Sequence, residues 1–237
     1  TYESWTMGAV VDPIDGLTIT IDYWNIEIED AVGTVGTTDL IRLCATQGLY
    51  CDRTFRFTSP AAVAGQIIRV EDTDNNVGTE TYTGVDLGIA ADLPSVGGGD
   101  LTLDMQATYN EETQVITAAG LVVEDLAGTV SQTYGMYSRW RALTKLNWNK
   151  GNINVTYTNR YIHGVTDEVD DFWTLEPMYT EIPEVMYNDI TVSYSTDNMG
   201  TIALGVTNFT DEEVPFVPSA FNANTDQENY DLFGPCL

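Results

Sequence analysis

The sequence predicts an all-β protein, the wall of an antiparallel transmembrane β-barrel, and two observations predict it. The first is alternation. Ile153, Val155, Tyr157, Asn159 and Tyr161 interleave with Asn154, Thr156, Thr158 and Arg160, and Leu101, Leu103, Met105, Ala107 and Tyr109 interleave with Thr102, Asp104, Gln106 and Thr108. Side chains on a strand point alternately to its two faces, so each segment is apolar on one side and wet on the other. The second is the rhythm of the connections. Asp12–Gly16, Lys150–Asn152 and Asp197–Gly200 are tight turns rich in residues that tolerate or preset turn geometry. Between them run long connections, roughly 33–75, 111–137, 163–185 and everything after Thr210. Long loops in a compact domain usually carry a function. Short turns at one end and long loops at the other fit periplasmic turns and extracellular loops, whereas a soluble sandwich mixes loop lengths at both ends.

Element by element, the first strand is expected at Ser4–Asp12 with Met7, Ala9 and Val11 on one face. The second runs Leu17–Glu29 with Leu17, Ile19, Ile21 and Tyr23 on one face, after which Trp24, Ile26 and Ile28 take the other parity. That flip predicts either a bulge or a strand that has left the bilayer and packs against loops. The following loop is expected to hold one helical turn near Thr38–Cys44 and an extended piece at Ile67–Glu71. The third strand spans Asn76–Leu93, and the glycine-rich turn Pro94–Gly99 leads to the fourth at Asp100–Asn110. The fifth, Arg139–Asn149, points Trp140, Ala142, Thr144, Leu146 and Trp148 outward and Arg141, Leu143, Lys145 and Asn147 inward. At ~3.3 Å per residue and a ~45° tilt, the spacing of the two tryptophans spans roughly 19 Å, near the height of an outer-membrane apolar band. Tyr109, Trp140 and Tyr161 are therefore expected in the external aromatic girdle and Trp148 in the periplasmic one. The last three strands are Ile153–Ile162, Met186–Ser195 and Thr201–Thr210. With these eight strands, every short turn falls on the same side.

Composition narrows the function. Nine basic against thirty-six acidic residues give a formal charge of −27, which excludes a general nucleic-acid binder. Asp167, Glu168, Asp170, Asp171, Glu176, Glu181 and Glu184 crowd one long connection without a Lys or Arg. This reads first as solvated surface and second as a cation site, and no fixed ligand spacing such as an EF-hand loop is present. Cys44 and Cys51 lack zinc or redox spacing, and a local disulfide stapling an extracellular loop is expected because that side is oxidising. Cys236 is left over and is expected to reflect where the chain stops. No run of eighteen apolar residues marks a membrane helix, which says nothing against strands that hide hydrophobicity in alternation. No metal cluster, phosphate loop or nucleophile–base pair stands out, and no cofactor is expected. His163, the only histidine, is expected in a girdle or loop role.

Several segments, in order, resemble one family. Asp22-Tyr23-Trp24-Asn25-Ile26 is similar to its "DYW-I" strand, and Asn76-Val77-Gly78 through Thr83-Gly84-Val85-Asp86-Leu87 to its "N-G…T-G-hydrophobic-D/E" strand. Trp140-Arg141 to Trp148 and Thr158-Asn159-Arg160-Tyr161 resemble later paired strands. Leu204-Gly205-Val206-Thr207-Asn208-Phe209-Thr210-Asp211 resembles "G-hydrophobic-x-N-L-F-D", and Asn229–Gly234 resembles "Y-D-x-x-G-R". The family is that of TonB-dependent outer-membrane receptors, whose barrel has about twenty-two strands around a plug. The resemblance implies that residues 1–237 form one partial barrel domain, roughly strands fourteen to twenty-one, with the plug, the TonB-contacting segment and the last strand outside it. The implied function is TonB-dependent uptake of a scarce large solute such as a ferric siderophore, a cobalamin-like cofactor or an oligosaccharide. The implied partners are the TonB complex through the plug, outer-membrane lipid and an extracellular ligand. Tyr50, Phe55, Tyr134, Tyr137, Phe172 and Trp173 are the loop aromatics expected to meet that ligand, against a plainer expectation that they pack loop on loop. Arg141, Lys145 and Arg160, rare cations on the inner wall, are expected to pair with acidic neighbours or the plug. The competing class is a secreted acidic β-sandwich, an adhesin or glycan-binding module, with a two-sided core and no lipid-facing row.

Overall fold

Glycines at positive φ close the short turns, and each closure fixes one hairpin of the wall. The computed structural model describes residues 1–60, 63–116, 125–131, 135–167, 180–196 and 200–215. Strands β1 (Tyr2–Ile14) and β2 (Leu17–Gly33) lead through helix α1 (Thr37–Gln47) and a single 3-10 turn (Cys51–Arg53) to β3 (Thr54–Arg56) and β4 (Ile67–Val70). β5 (Asn75–Val96) and β6 (Gly99–Ile116) meet through Gly97 and Gly98, at φ 61° and 76°, a two-residue turn whose twist matches the strands it joins. β7 (Thr129–Ser131), β8 (Gly135–Tyr137), β9 (Trp140–Lys150) and β10 (Ile153–Ile162) follow, then β11 (Val165–Asp167), β12 (Glu181–Ile182), β13 (Val185–Thr196) and β14 (Gly200–Val206).

Eight strands form one sheet in the order β1-β2-β5-β6-β9-β10-β13-β14, each wall strand beside its predecessor. The antiparallel register aligns the expected faces. Leu103, Leu146, Tyr157, Ile190 and Val206 form one cross-strand row, and Leu101, Trp148, Val155, Val192 and Leu204 form the next. A slip of one residue would turn this whole set to the opposite face, so the alternation and the turns specify the same register. The opposite face carries Asp104, Lys145, Thr158 and Asp189 in one row and Thr102, Asn147, Thr156, Thr191 and Gly205 in another. The apolar row is left bare: Leu204 is 77% exposed and Ile202 64%. A sandwich would cover that row with a second sheet. The sheet is open, with β1 and β14 at its edges.

By internal packing the chain divides into two units. One comprises residues 1–3, 26–81 and 114–125. Its small core is Val35, Leu40 and Leu43, with Tyr50 and Val70 against it. Helix α1 is a full 11 residues, longer than the single turn expected, because Leu40 and Leu43 bury one face and both ends are closed. The Asp72 carboxylate accepts the N–H groups of Val35 (3.2 Å) and Gly36 (3.0 Å) just ahead of the helix. Gly48, at φ 71°, ends it, its N–H reaching the Cys44 carbonyl. The Cys44–Cys51 disulfide, Cα–Cα 4.8 Å, ties the last turn of α1 to the 3-10 turn. Replacing both cysteines by serine is expected to destabilise this unit by about 2 kcal/mol. Limited proteolysis of the protein should then cut within residues 44–57 while the strands of the wall stay protected.

The other unit comprises residues 4–25, 82–113 and 126–237. Among its described residues a second core lies at the long-loop end. Val130, Met136, Ile162, Val165, Ile182, Val185 and Tyr187 pack together, the loop sheet β12-β11-β7-β8 covering inward-facing side chains of β10 and β13. The β11–β7 pair is parallel. β14 ends at Val206 rather than Thr210, because Asn208 turns the chain at φ 46°. The Asn208 side chain both accepts from and donates to the backbone of Glu212, at 3.0 Å each way. β2 runs unbroken past the parity flip at Trp24 to Gly33, and from residue 26 on it packs with the long connection that follows, the second of the two expectations.

Candidate functional site

The site is the inner face of the wall together with the connections at its long-loop end. On β9 and β10, Arg141, Lys145 and Arg160 share the inner face, opposite Thr108, Asp104 and Tyr187 of their neighbours. Arg160 is anchored: its guanidinium lies 3.3 Å from Asp189 and 5.5 Å from the ring centre of Tyr187. Asp189 also accepts the N–H of Asn208 at 2.7 Å, so one half-buried carboxylate holds a cation and the bend after β14 together. Of the three inner cations expected to pair with acidic neighbours, Arg160 does so. Arg141 and Lys145 are exposed, and neither has a partner among the described residues. Farther along the same face Asp86 accepts the Thr108 hydroxyl at 2.7 Å. Trp24 covers Gly84 there, where a Cβ would run into the indole and, at 2.5 Å, the Tyr109 carbonyl.

The loop aromatics named from sequence are placed as follows. Tyr50 lies under Arg53, 5.5 Å from ring centre to guanidinium, and Phe55 under Arg69 at 4.5 Å, so each spends one face on an internal cation–π contact. Tyr137 packs against Tyr82, ring centres 6.4 Å apart, both within the second unit. Tyr134, Phe172, Trp173 and Cys236 lie outside the described residues, as does most of the acidic connection after Asp167. Among the described residues no three His, Cys, Asp or Glu side chains gather as a metal ion requires. His163 donates its backbone N–H to the Trp140 carbonyl and sets its ring edge-on to Tyr161.

On the apolar face the four residues expected in the girdles fall into two groups. Tyr109 and Trp140 are cross-strand partners with ring centres 4.7 Å apart, and Tyr161 gives its hydroxyl to Glu184 at 2.6 Å. Trp148, at the short-turn end, donates its indole N–H to the Val96 carbonyl at 2.8 Å and lies over Gly99. A Cβ on Gly99 would stand 2.6 Å from the indole and 2.8 Å from the Asn149 carbonyl. Gly99→Val is therefore expected to displace Trp148 and cost about 1–3 kcal/mol. The readout is the temperature at which the protein loses its compact band on a detergent gel.

Sequence reasoning missed one polar group on the outer face. Asn159 and Asn188 are cross-strand partners, in a row that continues through Thr144 to Met105. The Asn188 carbonyl oxygen accepts both the Tyr157 hydroxyl (2.6 Å) and the Asn159 amide (2.8 Å), and its own amide donates to the Thr210 hydroxyl (3.1 Å). Phe209 sits beside Tyr157, ring centres 6.4 Å apart, its N–H on the main-chain carbonyl of Asn188. Two asparagines at outward parity on neighbouring strands were the available signal.

The profile of the TonB dependent receptor-like β-barrel family matches residues 1–209. The chain belongs to that family. Membership puts this wall in the outer membrane of a Gram-negative bacterium and selects the receptor class over the sandwich. No curated protein matches the chain. Two solved structures share its fold. One is the outer membrane transporter YddB from Escherichia coli, TM-score 0.55 and 10% identity, covering 89% of this chain and 28% of that one. The other is a mutant of the ferric enterobactin receptor PfeA from Pseudomonas aeruginosa, TM-score 0.57 and 12% identity, covering 89% and 26%. The chain thus spans about a quarter of the length of these TonB-dependent relatives.

Proposed function

We propose that residues 1–237 form one partial barrel domain of a receptor that takes up a scarce, large solute with energy delivered through TonB. The observation that carries this reading is the register of the sheet. It sets a bare apolar row on one face, charged and amide side chains on the other, and folded long connections at one end. Such a wall separates lipid from a polar lumen. The solute is a ferric siderophore, a cobalamin-like cofactor or an oligosaccharide. Tyr50, Phe55 and Tyr137, with Tyr134, Phe172 and Trp173, are the aromatics offered to it, and Tyr109, Trp140, Tyr161 and Trp148 anchor the wall at the two membrane surfaces. The TonB complex is met through a plug. The test is uptake by cells carrying the receptor intact or disrupted, with radioactive iron chelates, cobalamin and oligosaccharides supplied in turn. Uptake of one class that needs both the receptor and TonB supports the reading, and equal uptake without the receptor overturns it.

A further inference from the structure

Two long connections meet at the long-loop end, one between β6 and β9 and one between β10 and β13. Each could fold against its own hairpin, but they are stitched to each other. β7 of the first and β11 of the second are parallel neighbours, Thr129 beside Thr166 and Val130 beside Asp167. A parallel pair cannot arise inside one hairpin, so it ties two separate excursions of the chain together. β8 extends this small sheet on one side and β12 on the other. The Thr166 N–H donates to the Gly128 carbonyl at 2.9 Å. The buried Ser138 hydroxyl, where the first connection ends, donates to the carbonyl of His163, where the second begins, at 2.7 Å. Val130 and Met136 come from the first connection and Val165 and Ile182 from the second, and all four are buried in one cluster with Ile162, Val185 and Tyr187 of the wall.

Neither connection can lift from the wall without exposing apolar side chains of the other and breaking the hydrogen bonds between them. Surface loops ordinarily open one by one and at low cost. We propose that these two connections form a single cooperative body, which opens from the wall as one piece. Loosening either half then loosens the other by the same factor. The coupling belongs to the shared core and the β7–β11 seam, since Ile182 and Met136 stand on the outer strands of the sheet and still share one core. Tyr137, on β8, is among the aromatics proposed above to meet the solute. Contact there would order residues 165–182 as well, a consequence that rests on the transport reading, whereas the coupling itself does not.

The test is amide hydrogen exchange, read by mass spectrometry, on the whole purified receptor in detergent with no solute added. Ile182→Ala truncates the core from the second connection and Met136→Ala from the first. Each is expected to speed exchange about tenfold or more in both connections, by a common factor, at residues 126–131 and 135–137 and at residues 165–167 and 181–182. Exchange in β9 and β10 is expected to stay at the parent rate. Ile182→Val and Met136→Leu, which keep most of the volume, should give a smaller common factor, so the result does not hang on one severe truncation. Acceleration confined to the connection that carries the substitution means two independent loops and overturns the proposal. Acceleration that extends through β9 and β10 overturns it too, because the connections are then no body apart from the wall. No acceleration in any variant has the same consequence, since the core then holds neither half. None of these readouts depends on uptake, so a failure of the transport reading and a failure of this one are seen separately.

Discussion

Met105→Arg is expected to destabilise the receptor barrel by about 2–4 kcal/mol, the cost of a cation near the middle of the lipid face. Met105 pairs with Thr144. That row lies midway between the rows of Trp140 and Trp148, far from either surface where a long side chain could reach water. The paired control is Thr158→Arg on the inner face, in the row of Lys145 and Asp189. There the guanidinium faces a polar lumen, and the expected change is within about 0.5 kcal/mol. Urea unfolding of the receptor in bilayer vesicles measures both. Equal losses at the two sites would contradict the assignment of the faces.

Asn188→Val is expected to cost about 2–4 kcal/mol, far more than its exposure suggests. The substitution leaves the Tyr157 hydroxyl and the Asn159 amide without their shared acceptor and the Thr210 hydroxyl without its donor. Unsatisfied donors facing hydrocarbon carry their full desolvation cost. Removing the whole group with Tyr157→Phe, Asn159→Val and Asn188→Val together should recover most of the loss, because apolar side chains of similar shape then face lipid. The same unfolding assay reads the difference. A triple variant worse than the single one would mean that the group is held by something other than mutual satisfaction.

The wall was legible because its physics is periodic. Alternation gave each strand's face, and the register of β6, β9, β10, β13 and β14 pairs the outward residues as read. The loops were less legible. β7, β8, β11 and β12 are two or three residues long, too short for any period to show. The sequence predicts only a single turn for helix α1, because Leu40 and Leu43 are its only buried residues and its ends are closed by Asp72 and Gly48, not by a local N-cap side chain. β6 runs past its expected end at Asn110 to Ile116, through a fully buried Thr113 whose hydroxyl bonds the Asn110 side chain. The site was legible by residue type alone. The inner cations were named from parity, but the cover of Gly84 by Trp24 joins two strands, which no single segment displays.

Trp148 and Lys150 reach from one hairpin to the turn of the one before it, donating to the carbonyls of Val96 and Gly97 at 2.8 and 2.7 Å. Both contacts sit at the short-turn end, on the side from which the chain enters the membrane. A barrel laid down hairpin by hairpin can therefore clip each new turn to its predecessor while the long loops are still crossing. The alignment of β6 with β9 is then decided at the entry side, and the far ends of the strands inherit it.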